Sequence, residues 1–293
     1  MPVNDPVVTA QTAADDFQID QKWELYSSEE HAIWNTLYAR QMKVLKGRAA
    51  DEHFTGLDLL DLNTGGIPDF RRVNEKLEKL TGWTVITVPG LIPEKEFYDH
   101  LANKRFVSGR FIRDGNKLNY LPEPDIFHDV FGHVPLLTQP VFAEYMQAFG
   151  RGGLRSLEFD TIVNMARLYW YTVEFGLINT DAGLRTYGAG IVSSATESVF
   201  CLEARSPNRI HFDLERIMRT DYRYDDFQQT YFVIDSFEEL MDSTYADFAP
   251  IYERIKEMDE FKPSDIVEGD KIYSKGTQEY ALAGGLTEMA EAV

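Results

Sequence analysis

Cys201 is the only cysteine in the 293 residues. No intramolecular disulfide can form, so the natural home of the chain is a reducing cytoplasm. Basic residues are also scarce. Against 48 Asp+Glu stand 29 Lys+Arg, a formal net charge of −19. That balance argues against nucleic acid and anionic membrane as partners, because both recruit basic patches. No stretch approaches the roughly 18 consecutive apolar residues that a membrane helix needs. The first residues, MPVNDPVVTAQTAADDF, lack the basic and apolar blocks of a signal peptide. Internal repeats, a Gly/Ser linker and long charge blocks are missing too. What the chain does have is an ordinary globular balance of 44% hydrophobic residues and a rich 13% of aromatics. A large core or an aromatic-lined pocket is expected.

The pattern along the chain predicts one compact, mainly helical domain with a small β component. Residues 1–22 have no periodicity and read as a mobile arm. Ser27 and Glu30 stand at capping-box spacing, and Ile33, Leu37, Gln41 and Val44 behind them share a helix face, with Trp34, Tyr38 and Leu45 beside it. A second helix follows Asp69, with Phe70, Val73, Leu77 and Leu80 inward and Gly82 as its stop. Pro93 is placed to open a short helix. Residues 106–112 and 117–121 flank Asp114-Gly115 as a predicted hairpin. A helix after Pro140 carries Phe142, Tyr145, Met146 and Phe149, and the glycines at 150, 152 and 153 are expected to end it. Another helix opens at Asp160 and closes at Gly176. The run YFVID at 231–235 reads as a strand, and Ser236 as the cap of a helix bearing Phe237, Leu240, Met241, Tyr245 and Phe248. Residues 263–293 read as a loosely held extension.

The chemistry concentrates in PEPDIFHDVFGHVPLL, residues 122–137, where His128 and His133 stand five apart. On an uninterrupted α-helix the two rings would diverge by about 140°. Gly132 and Pro135 break that regularity, so the chain can return the second imidazole beside the first. Two unrelated histidines are the plain alternative, weakened because two of only six histidines fall in one apolar segment. A metal site needs a third ligand. Glu174 is the only acid in the aromatic run RLYWYTVEFG at 167–176, at a helix C-terminus where the dipole disfavours an unpaired anion. Two imidazoles and one carboxylate leave three adjacent metal positions open, as non-haem Fe(II) oxygenases require. A zinc hydrolase is the rival reading, although the intervening residues Asp-Val-Phe-Gly offer no glutamate base in the His-Glu-x-x-His manner. A metal-stabilised binding protein is the non-enzymatic one.

PEPDIFHDVFGHVPLL, YWYTVEFGL and YGAGIVSS together closely resemble the pterin-dependent aromatic amino acid hydroxylases. The resemblance runs from about Trp23 to Phe248. FDLERIMRTDYRYDDFQQTYFVIDSFEEL is similar in particular to bacterial members that hydroxylate phenylalanine. It implies the family's catalytic fold over 23–262, with iron held by His128, His133 and Glu174. It further implies that Arg113 grips the substrate carboxylate, that Asp125 orients Arg113, and that Pro124 and Trp170 wall the aromatic pocket. Ser193 would steady the first iron-bound histidine. Gly90, Leu91 and Ile92 would bond the pterin through their backbone, and Phe97 would stack on it. Asp129 stands where the animal enzymes carry Glu and would meet the pterin. The implied activity is Fe(II)- and tetrahydrobiopterin-dependent conversion of L-phenylalanine to L-tyrosine with dioxygen. The animal enzymes' regulatory domain has no counterpart here, and the tail after Phe261 has no heptad pattern, so a monomer is expected.

Overall fold

The computed structural model describes residues 5–63, 65–116, 118, 123–244 and 248–285. It is mainly helical with seven short strands among these residues, in line with the fold class read from the sequence. Two compact units can be distinguished: residues 1–46 with 51–155, and residues 47–50 with 156–293.

In the first unit, helix Ser28–Leu45 begins on the expected capping box. The Ser27 hydroxyl accepts from the Glu30 N–H, and the Glu30 carboxylate accepts from the Ser27 N–H. Such a cap stabilises a helix by about 1 kcal/mol. Its buried face is Trp34, Leu37, Gln41 and Leu45, and Trp34 packs edge-on against Phe127. Helix Phe70–Thr81 is capped by Asp69 and stopped by Gly82, whose φ of +77° suits glycine. Phe70, Val73 and Leu77 are buried as predicted, while Leu80 faces solvent. Strands β1 (Thr84–Thr87) and β2 (Arg105–Ser108) pair in parallel through helix Glu94–Ala102, for which Pro93 serves as the cap.

The predicted hairpin around Asp114-Gly115 is therefore a misreading. β2 spends its pairing on β1, and residues 109–113 run on to meet the start of the histidine segment, the Ile126 N–H donating to Phe111 C=O. Asp114 instead makes a local turn, its carboxylate accepting from the Asn116 N–H. The second proposed strand, 117–121, lies outside the described residues except for Leu118. The glycines at 150–153 do not end the helix after Pro140, which runs as Pro140–Phe159. They let helices touch. A Cβ on Gly150 would fall 2.4 Å from the Ala102 nitrogen, and one on Gly153 would fall 2.0 Å from the Tyr98 ring. The arm is not loose from Asp5 onward. The Ile19 N–H donates to Thr87 C=O, Gln21 bonds Pro68 and Phe70, and the Arg110 guanidinium reaches Gln21 C=O and Asp5.

In the second unit, helix Ile162–Tyr169 follows Asp160, which takes a positive φ of 57°. The five-stranded sheet has the order β4-β3-β6-β5-β7: β3 (Leu177–Thr180), β4 (Gly183–Thr186), β5 (Asn208–His211), β6 (Thr230–Ile234) and β7 (Ile272–Ser274). β6 is central, parallel to both neighbours and buried throughout. That explains why YFVID is apolar without alternating. Leu177, Ile191, Cys201, Tyr231 and Val233 pack into one core cluster. Ser236 caps helix Phe237–Thr244 as expected. Tyr245 lies outside the described residues, and Phe248 precedes a separate helix, Ala249–Ile255. The extension after Lys262 is also held, at least to Gly285. β7 adds antiparallel to β5, and Asp270 pairs with the buried Arg216. Polar pairing and an added strand replace the apolar pattern whose lack suggested a loose tail.

Candidate metal centre

His128 and His133 lie in a π-helical segment, Phe127–His133. In a π-helix the hydrogen bonds run from residue i to i+5, so residues five apart stand about one turn apart on the same side. The spacing that would splay two imidazoles on an α-helix therefore unites them. Their Nε2 atoms are 3.3 Å apart and their rings lie at 85°. Two nitrogens bound at ~2.1 Å to one metal ion, at a right angle or slightly wider, would be about 3.0–3.3 Å apart. Pro135 then turns the chain into a 3₁₀ stretch, Val134–Thr138. Both histidines are buried, and the Phe106 ring lies 4.8 Å from that of His133.

Glu174 ends a second π-helical segment, Trp170–Glu174, closed by an i to i+5 bond from the Phe175 N–H to Trp170 C=O at 2.8 Å. Gly188 and Gly190 of the YGAG motif let the backbone close on this turn. A Cβ on Gly188 would come within 2.3 Å of the Glu174 carbonyl oxygen, and one on Gly190 within 3.2 Å of its carboxylate Oε2. The motif is a packing device for Glu174. The ligand atoms of His128, His133 and Glu174 all lie within 4.8 Å of one another. The donor set and its spacing fit a facially bound divalent iron.

Arg113 and Asp125 form a buried pair. The Arg113 Nε and Nη2 donate to Asp125 Oδ2 and Oδ1 at 2.7 and 2.8 Å, and the Arg113 backbone N–H donates to Oδ2 at 3.0 Å. Asp125 Oδ1 also accepts from the His128 N–H at 3.0 Å. One carboxylate, 0% exposed, thus ties the arginine to the first turn of the histidine segment. A further Arg113 bond goes to Leu118 C=O. Among the described residues, three of the guanidinium's five N–H groups are used, which leaves one on each terminal nitrogen without a partner there.

The other sequence-selected residues fall in several places. Pro124, just before Asp125, is exposed. Asp129 is half-buried, its Oδ2 accepting from the Gly109 N–H at 2.9 Å. Gly90, Leu91 and Ile92 form an accessible loop, with Leu91 83% exposed, and Phe97 is half-buried on the helix after it, edge-on to Tyr98. Trp170 is half-buried, with its indole N–H donating to Gln228 Oε1 at 3.0 Å. Ser193 is buried, its hydroxyl donating to Ala189 C=O at 2.7 Å. Reading the sequence alone missed Gln228, Tyr222, which stacks on Trp170 at 4.4 Å, and the buried Glu197–Tyr231 pair. Burial pushes the Glu197 carboxyl up to about 7, against the lowering effect of the Tyr231 O–H and Gln228 N–H. FQQTY, which holds Gln228 and Tyr231, carries no signal that would have singled them out.

Known proteins with the same architecture share the sequence. The family model for biopterin-dependent aromatic amino acid hydroxylases matches residues 11–262. A phenylalanine-4-hydroxylase from Caulobacter vibrioides is 62% identical over 273 residues, 93% of each chain. The iron- and phenylalanine-bound crystal structure of the Chromobacterium violaceum phenylalanine hydroxylase superposes with a TM-score of 0.86 at 50% identity, covering 91% of this chain and 98% of that one. The structure of the same enzyme with bound oxidised Fe(III) gives 0.88 at 52%, covering 90% and 96%. With the family match spanning both π-helical segments and every motif above, the chain belongs to the biopterin-dependent aromatic amino acid hydroxylases.

Proposed function

We propose that this chain hydroxylates L-phenylalanine to L-tyrosine with dioxygen and a tetrahydropterin such as tetrahydrobiopterin, using Fe(II) held by His128, His133 and Glu174. The observation that carries the reading is the two-histidine, one-glutamate cluster set on π-helical turns. The iron and the reduced pterin, when bound, supply the activation of dioxygen that no protein side chain can provide. The protein's own residues bind, orient and exclude water.

Arg113 holds the α-carboxylate of the amino acid through the two N–H groups that no described residue engages. Asp125 keeps the guanidinium plane fixed from the opposite side. Pro124 and Trp170 flank the substrate ring, with the indole locked by Gln228. Ser193 steadies the first histidine. On the cofactor side, the backbone of Gly90, Leu91 and Ile92 bonds the pterin, Phe97 stacks on it, and Asp129 approaches it while tied to the Gly109 N–H. The enzyme acts as a cytoplasmic monomer, since its single thiol is buried and its strong negative charge repels like copies.

The test is metal-specific reconstitution. Apoprotein loaded with Fe(II) should form tyrosine from phenylalanine and consume tetrahydropterin in equal amounts, and protein loaded with Zn(II) should form none. Zinc-supported turnover, or phenylalanine binding without tyrosine formation under iron, would overturn the reading in favour of a hydrolase or a binding protein.

A further inference from the structure

Trp170 is the first residue of the turn that ends in Glu174, and its indole is held on three sides. Phe175 lies 4.7 Å from it and Tyr222 stacks on it at 4.4 Å, 19° from parallel. The third side is the hydrogen bond to Gln228. Gln228 is 2% exposed, and its amide cannot flip without loss. Its NH2 donates to Arg223 C=O at 2.6 Å and Asp226 C=O at 3.3 Å, so its oxygen must face the indole. Both Tyr222 and Gln228 belong to segment 221–228, which has no helix or strand of its own.

Within the family match, Tyr171, Glu197, Phe200 and Phe261 hold that segment, and a further hold comes from beyond residue 262, where the match ends. The Tyr280 hydroxyl donates to Asp226 Oδ1 at 3.0 Å. The Tyr280 ring packs on Phe200 and Phe227, which stack on each other at 4.4 Å. Gln278 Nε2 donates to Gln229 C=O at 3.0 Å. This C-terminal strap is itself seated on the sheet. β7 pairs with β5, the Gly276 N–H donates to Asn208 Oδ1, and the Tyr280 N–H donates to Ser206 Oγ. A Cβ on Gly276 would lie 2.2 Å from Ser206 C=O, so the strap needs glycine there to lie this close.

We propose that the strap, acting through Tyr280, Asp226, Phe227 and Gln228, is a positioning element that sets the Trp170 indole and thereby the fit of the aromatic substrate ring. Tyr280 and Gln228 touch neither substrate nor cofactor; they act through Trp170. The inference rests on the reading above that Trp170 walls the substrate pocket. Small displacements of positioning groups have large kinetic effects.

The experiment compares Tyr280→Ala, Gln228→Leu, the double variant and Trp170→Phe in the iron-loaded enzyme. It reads the KM for phenylalanine, the KM for tetrahydropterin, kcat, iron stoichiometry, and the four tryptophan indole N–H signals by NMR, with the Trp170 signal assigned by its loss in Trp170→Phe. Tyr280→Ala and Gln228→Leu should each raise the phenylalanine KM on the order of ten-fold. The pterin KM and iron stoichiometry should hold, and both variants should shift the Trp170 indole signal. Acting through one indole, the two should combine to little more than the larger single effect. Tyr280→Phe, which keeps the ring, should show the same pattern more weakly and serves if the alanine variant does not fold. An unmoved Trp170 signal, equal rises in both KM values, or fully additive effects would overturn the strap proposal. If Trp170→Phe raises the phenylalanine KM and Tyr280→Ala does not, the strap alone fails. If Trp170→Phe leaves that KM unchanged, the pocket reading fails and takes the strap with it.

Discussion

Replacing Asp125 with asparagine changes one atom and removes one charge, and the geometry dictates a large effect. Oδ2 accepts from the Arg113 backbone N–H and Nε, and Oδ1 accepts from Arg113 Nη2 and the His128 N–H. All four partners are donors. Whichever way the asparagine amide is turned, its NH2 faces two of them, so two hydrogen bonds are lost and the Arg113 charge stands buried without its counterion. Breaking a buried pair from one side costs about 3–5 kcal/mol. A domain stable by roughly 5–15 kcal/mol would still fold but with much of its margin gone. Urea unfolding of the metal-free protein at neutral pH should show this loss directly. The same change frees the guanidinium from its fixed plane, so the phenylalanine KM should rise about ten-fold or more while the pterin KM changes little. Where the NH2 takes the Oδ1 side, the bond to the His128 N–H is lost as well and iron retention on dialysis should weaken. If Asp125→Asn cost less than about 1 kcal/mol and left both the phenylalanine KM and iron retention intact, the pair would be a mere surface-grade ion pair and the clamp argument would be wrong.

Two buried titratable groups give pH predictions of opposite sign. Burial pushes His53 down to about 3 from 6.5, and neither of its ring nitrogens has a hydrogen-bond partner among the described residues. The unfolded chain takes up a proton that the folded one refuses, so stability is full above pH 6.5 and falls as pH drops, by about 2 kcal/mol at pH 5. His53→Leu should abolish that acid loss in urea titrations, and an unchanged acid limb would refute it. Glu197 runs the other way. With its carboxyl raised from 4.5 to about 7, its contribution is full below pH 4.5 and is lost as pH rises through 7, by up to about 3 kcal/mol. Glu197→Gln should keep the Tyr231 hydrogen bond and remove this decline, so that the variant gains on wild type as pH rises from 5 to 8. A wild-type-minus-variant difference independent of pH would contradict it. Chelating the metal should leave the protein folded by circular dichroism, because the aromatic core and not the ion supplies most of the stability; unfolding on chelation would make the site structural.

The periodic elements were legible because burial writes itself into spacing. Trp34, Leu37, Gln41 and Leu45 repeat at helical intervals, and Ser27 with Glu30 announces the start. The metal triad was legible for a different reason: an acid in an aromatic run and two histidines in one apolar segment are chemically conspicuous. How the histidines converge was not. Gly132 and Pro135 pointed to a broken helix, whereas the backbone adopts a π-helix for which five-residue spacing is the natural repeat. Glycines misled where their purpose was contact. Gly150 and Gly153 sit against another helix, a demand set by tertiary neighbours that local sequence does not carry. The two termini looked loose because polar side chains and single added strands hold them, as with Gln21, Asp270 and β7, leaving no apolar period to read.

The central claim is that His128, His133 and Glu174 hold the iron at which oxygen from dioxygen is delivered to phenylalanine. Its most direct test is mass spectrometry of the tyrosine formed by iron-loaded protein under isotopically labelled dioxygen in ordinary water, beside His128→Ala, His133→Ala and Glu174→Ala. The account predicts label in the tyrosine hydroxyl of the parent enzyme and no labelled tyrosine, with iron lost or idle, in each variant. Unlabelled tyrosine, or full labelling in any of the three variants, would contradict it.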